Sequence, residues 1–171
     1  GGGHGVVRQA RRAERGEDRD VLGRVHAVVT GDLADLNATV ALAEDVNALG
    51  RLDAVIHNAA VMGGEDVMMT NVVAPFVLTA VLESPRRSLF ISSSMHWSGS
   101  PDPEVIDGRK VSRQPYEDSK LLVTTLAMAC ARIFPDAMAH AVDPGWVPPR
   151  MGGPGAPDDL APGHQTQQLL A

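Results

Sequence analysis

The sequence predicts an α/β domain built around a parallel β-sheet. Two observations lead to this prediction: short runs of β-branched and apolar residues alternate with longer segments of helical apolar spacing, and polar residues follow the short runs. Such alternation is typical of βαβ units, in which a helix connects two parallel strands. With 171 residues the chain can bury a sizeable core, so we expect a single domain over residues 1–171.

Four strands are predicted after an atypical, arginine-rich head at residues 1–23. Each is a short run of Val, Ile, Leu, Ala or Phe that ends at Gly, Asn, Asp or Ser, which are common turn residues. The predicted strands cover residues 24–29, 52–57, 89–93 and 138–142.

Three helices are predicted between these strands. The first keeps helical spacing up to Leu49 and ends at Gly50, a good helix stop. The second covers residues 71–82, where Pro75 must lie near the first turn or kink the helix because proline has no N–H. The third is a long helix over residues 116–134.

The composition excludes several classes of protein. A net charge of −6 argues against a nucleic-acid partner, since phosphate binding requires a basic face. No apolar stretch approaches the roughly 20 residues that cross a bilayer, so we expect no membrane contact and a cytoplasmic location. The lone Cys130 excludes a disulfide framework, and because no His-Glu-x-x-His pattern exists we predict no metal.

The most informative motif is a Tyr-x-x-x-Lys step at the start of the long predicted helix. Tyr116 and Lys120 are four positions apart and therefore share a helix face. The chain has one tyrosine and only two lysines, so chance is a poor explanation of this pair. Ser93 lies 23 positions upstream, at the end of a predicted strand. Together the three residue types predict a proton-transfer site.

Polar residues lie at the ends of all four predicted strands. They are Asp32, Asn58, Ser93 and Asp143. Parallel sheets bind ligands at the carboxyl ends of their strands, so one crevice could hold all four. Each of these residues alone is ordinary for a loop. Their common placement at strand ends, together with a Tyr/Lys helix, favours a functional site.

These motifs resemble those of the short-chain dehydrogenase/reductase family. The resemblance spans about residues 25 to 170. The segment 91–96, with the long stretch before Tyr116, resembles retinol-dehydrogenase-like members, whose Ser-Ser-x-Ala-His pattern identifies Ser93 as the catalytic serine. Ser92 or Ser94 stays an alternative, because adjacent strand residues face opposite sides. The matching motifs are Gly31-Asp32-Leu33, Asn58-Ala59-Ala60, Asn71, Ser93, Tyr116-x-x-Ser119-Lys120 and Pro144-Gly145.

The resemblance implies an oxidoreductase that acts on a small-molecule carbonyl or secondary alcohol. Tyr116 would exchange a proton with the substrate oxygen while hydride passes to or from a nicotinamide. Lys120 would favour the phenolate and hold the nicotinamide ribose, and Ser93 would hydrogen bond the substrate oxygen. Asn71 would hold a water of the proton relay, although a helix N-cap is its alternative interpretation.

The implied cofactor is NADP or NAD. NADP is slightly preferred, because Arg11 aligns near the residue that meets the 2′-phosphate in NADP-preferring members. The family often has a threonine shortly after Gly145, where this chain has Pro148 and Pro149, so one cofactor contact is expected to be lost. The implied cofactor contacts are Arg11, Asp32, Leu33, Asn58, Ala59, Ala60, Tyr116, Lys120, Pro144, Gly145 and Val147.

One family feature has no match in the sequence. The family holds the pyrophosphate on a glycine-rich turn between its first strand and first helix. The glycines at 1–5 do not follow a strand, and residues 5–7 align better with the family's second strand. We therefore expect an incomplete Rossmann-like doubly wound parallel sheet, shortened at both ends, with no strand to bridge residues 24–29 and 52–57.

The matching catalytic motifs and the unmatched glycine-rich turn leave two candidate functions. One is the NAD(P)-dependent oxidoreductase; the other is a non-catalytic remnant or interaction protein that cannot hold a dinucleotide. In the family, residues 148–171 correspond to the substrate loop and a late helix, which leaves 24–147 as the core. The third predicted helix packs against a second subunit in the family, which would give a homo-oligomer, although core burial would also explain its apolar faces.

Overall fold

The structure is a computed structural model that describes residues 6–11, 25–100, 102, 104, 115–146 and 170. Within these ranges, parallel strands alternate with helices, which confirms the predicted α/β class. The strands are β1 (Val6–Ala10), β2 (Val25–Thr30), β3 (Ala54–His57), β4 (Arg87–Ile91) and β5 (Met138–Val142). The α-helices are α1 (Leu36–Ala48), α2 (Ala74–Val81) and α3 (Pro115–Ile133).

The strands form two separate parallel sheets. One is the pair β1–β2, and the other has the order β3–β4–β5. Within the described ranges no strand hydrogen bonds to both sheets, as predicted from the missing match to the family's first strand. The carboxyl ends of β3, β4 and β5 lie at the same edge, since Ile56, Leu89 and His140 are in register.

Helix packing connects the two sheets. Helix α1 follows β2 and helix α2 follows β3, and the two helices pack against each other. Leu33, Leu42 and Ala74 form the buried centre of this contact. A second buried cluster lies between β4 and α3; it consists of Phe90, Val123, Ala127 and Cys130. Cys130 is 5% exposed in this cluster, where a free cysteine packs as a small apolar residue.

The third predicted strand ends earlier than expected. β4 stops at Ile91, and Ser93 instead caps a short 3-10 helix over Ser94–Ser98. The side chain of Ser93 accepts a hydrogen bond from the backbone N–H of Met95 at 3.3 Å. A serine run offers hydroxyl acceptors that compete with strand pairing, which explains why the strand ends here.

The helix predicted over residues 71–82 begins earlier, at Met69, and its first turn is π-helical and not α-helical. A π-helical turn over Met69–Val73 leads directly into α2, and Pro75 lies in the first turn of α2 as predicted. In a regular α-helix the carbonyl of Asn71 would accept from the N–H of residue 75. Proline has no N–H, so this bond cannot form.

Candidate active site

Ser93 and Tyr116 meet at the carboxyl end of β4. Tyr116 lies in the first turn of α3 and is 9% exposed, and its side chain is hydrogen bonded to that of Ser93. Ser92, one of the alternatives, is buried and its hydroxyl bonds Thr124 at 2.6 Å. Of these two neighbouring serines, Ser93 is therefore the one that contacts the tyrosine side chain.

Lys120 lies on the same helix face as Tyr116, as its spacing predicts. Its Nζ atom is 5.4 Å from the centroid of the Tyr116 ring. The ammonium donates a hydrogen bond to the carbonyl oxygen of Ile91 at 2.7 Å, and the residue is only 3% exposed. Burial lowers the pKa of Lys120 to about 8, although the nearby carboxylate of Asp143 opposes that shift.

The pKa of Tyr116 is raised, although the sequence predicts that Lys120 favours the phenolate. Burial raises it, and the carboxylates of Asp143 and Glu117 add to the rise, whereas the hydrogen bond from Ser93 lowers it. We expected Lys120 to favour the phenolate. In the structure the desolvation of the phenolate is the largest effect on the pKa of Tyr116. The Lys120 ammonium donates its hydrogen bond to a backbone carbonyl and not to the phenol.

Asn71 joins three elements of the site. Its side chain accepts from the N–H of Val61 and donates to the carbonyl of the same residue, both at 2.9 Å. It also donates to the hydroxyl of Ser119 at 3.0 Å, and Ser119 donates in turn to the backbone carbonyl of Tyr116 at 2.7 Å. The N-cap interpretation of Asn71 is wrong, because Met68 occupies that position.

Arg11 and Asp32 form an ion pair at the carboxyl ends of β1 and β2. The guanidinium approaches Oδ2 of Asp32 through its NH2 group at 2.7 Å and its Nε atom at 2.8 Å. The other carboxylate oxygen accepts from the N–H of Ala34. Both side chains are exposed, so the pair contributes at most about 1 kcal/mol to stability. The sequence predicted each residue as a cofactor contact but not their pairing.

The other predicted cofactor contacts have different surroundings. Asn58 and Ala59 are exposed immediately after β3, and Ala60 is half-buried. Leu33 is 9% exposed and its side chain packs in the core, so only its backbone can face a ligand. The predicted cofactor contact of Leu33 is therefore restricted to its backbone, because its side chain packs between α1 and α2.

The segment after β5 forms a tight turn. Oδ1 of Asp143 accepts from the N–H of Gly145 at 3.0 Å, and Gly145 has a φ of 78°, a conformation that favours glycine. Pro144 lies between them and is half-buried. Val147, the last predicted cofactor contact, lies outside the described residues.

The described residues contain neither a candidate metal cluster nor a candidate membrane-spanning helix. They contain no group of three or more His, Cys, Asp or Glu residues that could hold a metal ion. None of the helices in the same part of the chain is both long enough and apolar enough to cross a membrane.

The parallel strands, with hydroxyl, phenol and ammonium groups near their carboxyl ends, define a Rossmann-like α/β protein. The chain is 34% identical to the short-chain dehydrogenase chyC of Penicillium rubens over 184 aligned positions, which cover 98% of this chain and 71% of that protein. It is 33% identical to the short-chain dehydrogenase chry4 of Gibberella zeae, with the same coverage. The chain belongs to the short-chain dehydrogenase/reductase family. No family model matches it.

Solved structures share the fold. The carbonyl reductase Sniffer of D. melanogaster superposes with a TM-score of 0.73 at 19% identity, covering 96% of this chain and 79% of that one. The NADPH-bound carbonyl reductase from chicken fatty liver superposes with a TM-score of 0.70 at 17% identity, with coverage of 97% and 79%. At these identities the comparison establishes the Rossmann-like fold and not a shared substrate.

Proposed function

We propose that the chain is an NAD(P)-dependent oxidoreductase that interconverts a carbonyl compound and a secondary alcohol, with Tyr116 as the acid and base. The observation that carries this proposal is the hydrogen bond between Ser93 and Tyr116 beside the buried ammonium of Lys120. Family membership supports it, because the relatives are named as dehydrogenases.

Tyr116 is the proton donor in the reductive direction. Its raised pKa keeps the phenol protonated near neutral pH, so a proton is available for the substrate oxygen as the carbonyl carbon gains hydride. A bound nicotinamide supplies or accepts that hydride. In the oxidative direction the phenolate takes the proton back from the alcohol. Burial raises the pKa of Tyr116 and the hydrogen bond from Ser93 lowers it, and in this proposal cofactor binding shifts it further.

Ser93 and Lys120 assist the proton transfer in different ways. The Ser93 hydroxyl donates a hydrogen bond to the substrate oxygen and stabilises developing negative charge there. Lys120 lies against the tyrosine ring with its ammonium on the Ile91 carbonyl, where a ribose hydroxyl could compete for the same donor. In this proposal the ammonium binds the nicotinamide ribose and favours the phenolate when the cofactor is present.

Asn71 contributes to the relay through its backbone. Its side-chain amide already accepts one hydrogen bond and donates two, so both N–H protons are in use. Its carbonyl lacks the usual α-helical donor because residue 75 is proline. We propose that this carbonyl, and not the amide, holds the water that connects Lys120 to solvent.

The described residues fit part of a dinucleotide. Lys120 and Tyr116 offer donors for the nicotinamide ribose, and Arg11 offers a guanidinium suited to a 2′-phosphate, which favours NADP over NAD. Asp32 and Asn58 follow β2 and β3, and in this proposal they contact the adenosine half. Among the described residues, no glycine-rich turn connects a strand to a helix to hold the pyrophosphate.

That last observation favours a second candidate function. A chain that keeps the Ser93, Tyr116 and Lys120 arrangement without binding a dinucleotide would be a non-catalytic member of the family or an interaction protein. The two separate sheets agree with this alternative, since the family's pyrophosphate turn follows the strand that would join them.

Calorimetric titration of the purified 171-residue chain with NADPH and with NADH separates the two candidates. A dissociation constant of about 1 mM or tighter for either dinucleotide supports the oxidoreductase and contradicts the non-catalytic alternative. No heat with either dinucleotide, from a chain that unfolds cooperatively, supports the alternative. Lys120→Met is the matched control, because it should weaken any binding that uses the nicotinamide ribose.

A further inference from the structure

The carbonyl of Ser93 accepts two hydrogen bonds from one residue. The backbone N–H of His96 donates to it at 3.0 Å, and Nδ1 of the His96 ring lies 2.6 Å from the same oxygen. A carbonyl oxygen only accepts, so Nδ1 must carry the ring proton in this contact. A carbonyl oxygen has two lone pairs, and His96 therefore uses both.

Neighbouring contacts restrict the 3-10 helix on which His96 lies. The ring of His96 packs against that of Trp97, with centroids 4.7 Å apart and planes tilted by 32°. A side chain at Gly99 would place its Cβ 2.6 Å from the carbonyl oxygen of Glu117, so the end of the 3-10 helix sits directly on the first turn of α3. That turn also carries Tyr116.

The backbone bond alone would suffice to close the 3-10 turn. The hydrogen bond from the His96 ring adds a second restraint on the peptide group of Ser93. The Ser93 hydroxyl itself accepts from the N–H of Met95, two residues further along the chain. Two donors at fixed positions limit rotation of the Ser93 peptide, and the direction of the Ser93 side chain depends on that rotation.

We propose that His96 is a positioning residue for Ser93: its Nδ1–H holds the Ser93 carbonyl and thereby keeps the Ser93 hydroxyl directed at the hydroxyl of Tyr116. The inference concerns the geometry of the two hydroxyl groups, and its catalytic meaning rests on the proposed function. His96 itself does not touch the phenol in this account.

The single tyrosine makes a direct test available. Near-ultraviolet absorbance of tyrosinate reports Tyr116 alone, and a rapid pH jump reads it before alkaline unfolding. Ser93→Ala removes a hydrogen bond that lowers the pKa of Tyr116, so the tyrosinate midpoint should rise by about 0.4 to 1 pH unit, the equivalent of one net hydrogen bond. His96→Phe should raise the midpoint in the same direction.

Conservative variants distinguish positioning from general damage. In His96→Asn the amide nitrogen can replace Nδ1, so the wild-type midpoint should return, whereas His96→Gln reaches further and should behave like His96→Phe. The double variant Ser93→Ala with His96→Phe should show no rise beyond that of Ser93→Ala. Met95→Leu, in the same 3-10 helix, is the control and should leave the midpoint unchanged. The charged groups around the phenol, Lys120, Asp143 and Glu117, are present in every variant.

The outcomes separate this inference from the proposed function. If Ser93→Ala raises the midpoint and His96→Phe and His96→Gln do not, His96 is not a positioning residue, although the Ser93–Tyr116 pair stands. If Ser93→Ala itself has no effect, there is no coupling between the two hydroxyl groups to be maintained and the inference fails at its first step. If His96→Phe does not fold, the comparison of His96→Asn with His96→Gln gives the same decision.

Discussion

Asn71 donates its side-chain amide to the hydroxyl of Ser119 across 3.0 Å, although 48 positions separate the two residues. Ser119 is fully buried, and its hydroxyl continues the connection to the backbone of Tyr116. The loop after β3 joins the same network through Val61. These hydrogen bonds connect the π-helical turn and the loop after β3 to the first turn of α3, which carries Tyr116.

Removal of the Ser119 hydroxyl should weaken this unit. Ser119→Ala leaves one amide proton of Asn71 without its acceptor in a buried place, which costs about 1 to 3 kcal/mol of unfolding free energy. Urea denaturation measures the loss. Thr125→Ala is the control, since that exposed threonine only bonds a carbonyl of its own helix, and it should change stability by at most about 0.5 kcal/mol. Equal losses in the two variants would contradict the role given to Ser119.

Lys120 should lose its proton with a midpoint of about 8 in the cofactor-free chain. Lysine side-chain carbon NMR can show this, because the chain has only two lysines, and Lys120→Arg identifies the signal by removing it. If neither lysine signal titrates well below the ordinary midpoint of 10.5, the burial effect is refuted.

The same shift gives Lys120 a signed effect on stability. Between pH 8 and 10.5 the unfolded chain binds the lysine proton more strongly than the folded chain does. Stability contributed by this group therefore increases as the pH rises through that window. As the pH rises across this window, the unfolding free energy of the wild type should increase relative to that of Lys120→Met. A constant or opposite difference would show that the assigned shift is wrong.

His57 should make the fold sensitive to acid. Its ring stacks on Phe90 with centroids 4.5 Å apart, and desolvation lowers its pKa from 6.5 to about 4. The unfolded chain binds the proton first, so stability contributed by this group is lost as the pH falls from 6.5 towards 4. Thermal unfolding of His57→Phe should show a shallower decline over this window than the wild type. Parallel declines would remove His57 as a cause.

Arg11 should carry the preference for NADPH. A guanidinium that binds a 2′-phosphate supplies charge-assisted hydrogen bonds worth about 1.5 to 3 kcal/mol, so Arg11→Ala should lower the ratio of NADPH to NADH affinity by roughly 10-fold or more. Calorimetry with both dinucleotides measures the ratio. Arg51→Ala is the control, because Arg51 is exposed at the amino end of β3 and bonds Ser84. An unchanged ratio in Arg11→Ala would remove the assignment.

Much of the fold follows from the sequence because its signals are local. The fifth strand, Met138–Val142, matches the prediction in full, and β2, β3 and β4 agree to within about two residues, since apolar runs between turn residues define them. β1 lies in the predicted head, where only the family resemblance indicated a strand. The shared face of Tyr116 and Lys120 follows from helix geometry alone.

The remaining features depend on contacts between distant segments. The sequence could not show that Ser119 connects Asn71 to Tyr116, or that Arg11 pairs with Asp32, because both contacts depend on how separate elements pack. It also gave the wrong direction for the pKa of Tyr116 in the cofactor-free chain. Helical spacing reports which side chains share a face, whereas the pKa depends on how deeply the phenol is buried.

The most direct test of the account is Tyr116→Phe, compared with the wild type in calorimetric NADPH binding and in cofactor-dependent reduction of a panel of aromatic and aliphatic carbonyl compounds. Binding should stay within about two-fold, because the phenol makes only part of one ribose contact, while turnover should fall by at least about 100-fold with the loss of the acid. A variant that binds NADPH and reduces carbonyl compounds at the wild-type rate would contradict the assignment of Tyr116.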